Sequence, residues 1–163
     1  MSSAATDGGG RRKGRMPMPL DVRTTDVPRV SALSGGSARW AGASGIRYAA
    51  EIFPLGLPVP AAAGVYLFAK PRGALAQSWI ALFVGHADDV ARAVHENRRH
   101  SFLWDFAVAQ GMTAIHLVMS EAGAAQRHDI ARDLVRSLLP SLNRETAAMQ
   151  RLGGIGTNLG VTT

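Results

Sequence analysis

A chain of 163 residues, 47% of them hydrophobic, without cysteine and with a formal charge of +6, is sized for one domain around one core. It excludes a disulfide-stapled scaffold and any thiolate metal centre. The most apolar stretch, residues 55–69, is broken by Pro58, Pro60 and Gly64, so no membrane span is expected.

Residues 1–45 are rich in Gly, Ser, Ala, Pro and Arg without a lasting period, a composition that buries too little apolar surface to offset the entropy of ordering. A disordered basic N-terminal tail is expected there, with seven basic residues against three acidic. Arg11, Arg12, Lys13 and Arg15 form a candidate arm for neutralising phosphates; the alternative is a solubilising tail. No apolar run follows these basic residues, so a secretory signal is not expected, and the lack of cysteine points to the reducing cytoplasm.

The folded domain is expected over residues 46–143. Residues 47–53 have strand composition and end at Pro54; residues 55–63, with their prolines, read as an irregular connection. Residues 64–68 and 79–85 are strand-length apolar runs around a Pro and Gly break, which predicts a central hairpin covered on both faces. Asp88 or Asp89 then caps a helix through Val90 and Val94 to about Asn97, and a short helix follows over 102–109, ending at Gly111. A strand is predicted over 113–119. Ser120 would cap a long helix to Leu138 that carries Ile130, Leu134 and Val135 on one stripe and stops before Pro140. Residues 144–163 read as a flexible C-terminal tail; their glycine-rich part lacks the preceding strand and following helix of a phosphate loop.

Gly64-Val65-Tyr66, then Phe83-Val84-Gly85, then residues 130–136 running into Pro140-Ser141-Leu142-Asn143 resemble the GIY-YIG nuclease superfamily, over about half of the chain. The resemblance implies an α/β fold of the α+β kind, a small central antiparallel sheet flanked by helices. It also implies a centre where a tyrosine and a divalent ion act on one phosphodiester bond. Gly64, Gly85, Pro140 and Asn143 fall on the family's structural positions, and Tyr66 falls on the first motif's tyrosine. The remaining chemistry is missing: Phe83 stands for the second tyrosine, Ala93 for the transition-state arginine and Ala131 for the metal-binding glutamate. Arg92, Asp129 and Asp133 lie off those positions, and one helical step turns a side chain by ~100°.

The expectation is therefore a GIY-YIG-like domain without nuclease activity and without metal or cofactor, acting as a nucleic-acid-binding or interaction module. DNA or RNA would meet the basic arm and the surface of Arg92, His95, Arg98 and Arg99. One alternative is an endonuclease using Mg²⁺ or Mn²⁺, rebuilt around Tyr66 with His86 and Arg92 as helpers and Asp129 or Asp133 as ligand. Another is a protein-interaction module without nucleic acid. Ala93 and Ala131 are both expected to face the Tyr66 cleft. His116 is expected to be half-buried in its strand, His128 to be at the surface, and Trp40, Trp79 and Trp104 to be too scattered for a base-stacking platform.

Overall fold

The computed structural model describes residues 35–73 and 78–151. It comprises β1 (Ser37–Ala41), β2 (Arg47–Pro54), β3 (Gly64–Pro71), β4 (Trp79–Ala87), α1 (Val90–His100), α2 (Phe102–Ala109), β5 (Ala114–Met119), α3 (Ala124–Leu138) and α4 (Ser141–Arg151). The strands form one sheet in the order β1-β2-β5-β3-β4, with every neighbouring pair antiparallel. The fold class is thus α+β, an antiparallel sheet flanked by helices. Among the described residues no helix is long and apolar enough to cross a membrane.

Residues 64–69 of β3 are buried without interruption because β3 is paired on both edges and covered on both faces. Tyr66 and Phe68 join Phe53, Leu82, Ile115 and Leu117 under α1 and α2, with Leu142 of α4 in the same cluster. Their neighbours Val65, Leu67 and Ala69 join Val84 and Val118 under Ala131 and Leu134 of α3. This alternation follows from the two-residue period of a strand. Burial of Leu134, which has no exposed surface, contributes about 1.5–3 kcal/mol.

Two boundaries differ from the sequence expectation. Order begins before residue 46: β1 lies within the stretch expected to be a tail, held by its ladder to β2 and by Trp40, whose indole Nε1 donates to His116 Nδ1 at 3.2 Å. At the other end, α4 runs into the expected C-terminal tail, because Leu142 is buried and Asn143 is tied to β4. Residues 1–34 and 152–163, which carry the remainder of both expected tails, lie outside the described residues.

The helix ends have identifiable causes. Asp89 caps α1 by accepting from Arg92 N at 3.0 Å, while Asp88 is engaged by Arg127. Ser101 caps α2 at Leu103 N, 3.1 Å away. The predicted cap at Ser120 is not used: α3 starts at Ala124, after Gly123, with no side-chain cap. It ends at Leu138; the capping residue Leu139 adopts a left-handed conformation at φ 48, immediately before Pro140, where the α conformation is disfavoured.

Candidate functional site

The two motif glycines mark places where no side chain fits. A Cβ on Gly64 would lie 2.5 Å from Val118 O, and one on Gly85 would lie 2.7 Å from the Tyr66 hydroxyl and 2.8 Å from the Phe83 ring. Gly85 is opposite Tyr66 in the β3–β4 register, so its bare backbone is the floor on which the tyrosine ring lies. The Phe83 ring is 6.0 Å from that of Tyr66. Ala93 of α1 packs against the same cluster.

Tyr66 is 5% exposed, and its hydroxyl accepts from Asn97 Nδ2 at 3.3 Å. The same amide nitrogen donates to Ala93 O at 2.9 Å. Burial pushes the phenol up to about 12; Asn97 opposes this and the charge of Glu96 adds to it. A phenol so held stays protonated at neutral pH and is a poor general base.

The structure gathers Tyr66, Phe83 and Ala93, but not Ala131. Ala131 is buried against the other face of the sheet, which corrects the expectation that both alanines face the tyrosine. The reason is strand alternation, since Val65, not Tyr66, points toward α3.

His86 is opposite Val65 in the register and also lies on the α3 face, where its Nε2 is 3.4 Å from His128 Nδ1. Burial chiefly, then the charges of His128 and Arg127, hold His86 below its ordinary value. Arg92 sits at the surface, 3.8 Å from Glu96. Tyr66, His86 and Arg92 therefore do not converge.

The acidic residues of α3 are engaged elsewhere. Asp129 pairs with Arg132 at 2.8 Å. Asp133 accepts from Ser44 Oγ at 2.7 Å, Ser44 N at 2.8 Å and the Tyr48 hydroxyl at 2.9 Å. The Ser44 hydroxyl is the first cause that holds the Asp133 carboxyl below its usual range, against a smaller desolvation effect. Among the described residues no three His, Cys, Asp or Glu side chains gather where a metal ion could be held.

Asn143, the last motif residue, has a structural place. Its Oδ1 accepts from Val84 N at 2.8 Å and its Nδ2 donates to Val84 O at 2.9 Å. β4 is an edge strand, and the amide of Asn143 pairs with its exposed backbone as a neighbouring strand would.

A groove of about 440 Å³ opens beside α1, between Leu57, Pro58 and Val59 on one side and His95, Arg98 and Trp104 on the other. The Arg98 guanidinium stands over the Trp104 ring, 6.0 Å from its centre, and that ring packs edge-on against Phe68. Arg92, His95, Arg98 and Arg99 are all exposed along α1. Arg98, Arg99 and His100 also form the last turn of this helix, where positive charge complements the helix dipole. In the sequence, Trp104 reads as one scattered aromatic and residues 55–63 as an irregular connection. The available signal was the recurrence of Leu55, Leu57 and Val59 in a segment expected to be a loop. Arg11, Arg12, Lys13 and Arg15 lie outside the described residues.

Comparison with protein-family models, with curated proteins and with solved structures returns no match for this chain.

Proposed function

We propose that this chain is a GIY-YIG-like domain that binds nucleic acid along α1 and does not cleave it, in a cytoplasmic setting. The observation that carries the proposal is the Arg98–Trp104 pair at the rim of an apolar groove, flanked by the exposed His95 and Arg99. Cations that track phosphates beside an aromatic surface are the elements of single-strand binding, where each base can offer a stacking face. The buried, protonated Tyr66 and the placement of Ala131 across the sheet support the non-catalytic half of the proposal.

Fluorescence anisotropy with labelled single-stranded and duplex DNA and RNA, at about 50 and 200 mM salt, tests this reading. Binding should weaken steeply as salt rises, and Arg98→Ala and Trp104→Ala should each weaken it, with single strands preferred. No binding at the lower salt would remove nucleic acid from the proposal. A protein-interaction module is the second reading, favoured by the exposed α2 residues Phe102, Phe106 and Val108, at 70%, 45% and 46% exposure. A duplex nicked in Mg²⁺ or Mn²⁺, and spared by Tyr66→Phe, would instead restore the endonuclease alternative.

A further inference from the structure

We propose that His86 and His128 form a two-histidine site for a transition-metal dication, with Zn²⁺ as the reference ion. The site bridges β4 and α3 on the face of the sheet opposite Tyr66, and it is independent of nucleic-acid binding.

The geometry carries this inference. His86 Nε2 and His128 Nδ1 are 3.4 Å apart, the long end of hydrogen-bond range, where an N–H donor usually approaches its acceptor to about 2.9–3.0 Å. Two Zn–N bonds of about 2.0–2.1 Å meeting at a tetrahedral angle hold their nitrogens about 3.4 Å apart. The rings lie 5.4 Å apart between centres and at 83° to each other. Their planes therefore do not stack.

The surroundings permit a cation. Imidazole binds metal through the lone pair of a ring nitrogen, and the exposed His128 ring gives an ion access to the pair from solvent. The nearby Arg127 guanidinium opposes a dication, and its ion pair with Asp88 and its bond to Ala122 O offset part of that charge. Nitrogen donors select Zn²⁺, Cu²⁺ or Ni²⁺ over Mg²⁺, which prefers oxygen. Two protein ligands leave further positions for water or an incoming donor, since His128 is exposed. A metal here would tie α3 to the sheet, joining positions 42 residues apart in sequence.

The test is calorimetry of the full, tag-free chain with ZnCl₂ alone at about pH 7.5, together with nitrogen NMR of the labelled imidazoles. One Zn²⁺ per chain is expected. Zn²⁺ should shift the Nε2 signal of His86 and the Nδ1 signal of His128, and Mg²⁺ should shift neither. His86→Ala and His128→Gln should each cause loss of the one-to-one binding, since only one ligand remains, whereas His95→Ala should leave it intact. Equal Zn²⁺ affinity in the wild type and the double variant His86→Ala/His128→Gln would overturn the proposal. So would the absence of a shift at those two nitrogens in the unmodified protein, a readout that does not depend on any variant folding.

Discussion

Lowering the pH from neutral should destabilise this protein through one residue more than any other single histidine, the buried His116. Its side chain has no exposed surface. Nδ1 accepts from the Trp40 indole at 3.2 Å, which fixes the proton on Nε2, and Nε2 has no hydrogen-bond partner. The Trp79 ring is 4.5 Å away, edge to face, so apolar and aromatic surfaces surround the imidazole. Protonation would place a hydrogen on Nδ1 against the Trp40 N–H and leave a charge without a counterion. Burial accordingly lowers the pKa from 6.5 to about 4.

The sign follows from comparing the two states. The folded value lies below the unfolded one, so the stabilisation is complete above about pH 6.5 and is lost as pH falls toward 4. Each pH unit in that window costs about 1.4 kcal/mol, about 3 kcal/mol in all, a large part of an ordinary domain's stability of about 5–15 kcal/mol. Urea unfolding at several pH values, for wild type and His116→Gln, measures the effect. Glutamine keeps an acceptor for Trp40 but does not titrate, so groups common to both proteins cancel in the difference. The wild type should lose about 3 kcal/mol more than the variant between about pH 7 and 4. Parallel pH curves would refute the assignment of that loss to His116.

Gly85→Ala should destabilise by about 1–3 kcal/mol in chemical denaturation, because its methyl would fall 2.7 Å from the Tyr66 hydroxyl; unchanged stability would mean that the tyrosine ring is not held where it is described. Asn143→Ala removes both bonds to Val84 and should cost about 1–3 kcal/mol, with faster hydrogen exchange at the Val84 amide. Asp133→Asn should speed exchange at the Ser44 amide, which now donates to the carboxylate at 2.8 Å, while leaving the β3–β5 amides protected. Tyr66→Phe removes one bond from Asn97, whose amide keeps Ala93 O; a loss of about 0.5–1.5 kcal/mol in stability with unchanged nucleic-acid affinity is expected.

The elements that were legible in the sequence are those whose burial repeats in a short window. β3, β4, β5 and α3 each carry an apolar run or stripe that a local reading detects, and Pro140 and Asp89 mark ends by chemistry that acts within a few residues. β1 was not legible because its one strong anchor, Trp40, is secured by His116, 76 positions away. Nothing local in Ser37–Ala41 outweighs the Gly and Ser around it. α4 was missed for a similar reason: Leu142 is buried by sheet residues far along the chain. The motif glycines were legible as punctuation, but the reason for each, a Cβ excluded by Val118 or by Tyr66, is visible only in three dimensions.

The candidate site was misread at one point, and the physical cause is the period of a strand. Counting along a helix places Ala131 on the stripe of Leu134 and Val135, which is correct for contact with the sheet. It does not say which face of the sheet is met. Tyr66 and Val65 are adjacent in β3 and point to opposite sides, so α1 meets the tyrosine and α3 meets the valine. Ala131 is 6% exposed, and a small side chain there lets α3 close onto Val65 and Leu67. The sheet thereby separates two chemistries. On the α1 face lie the buried tyrosine and, beyond it, the Arg98–Trp104 groove; on the α3 face lie His86 and His128. Titratable groups that are close in sequence, such as Tyr66 and His86 across one hairpin, are kept apart by a layer of backbone. The chemistry available to either face must therefore be assembled from that face's own helices.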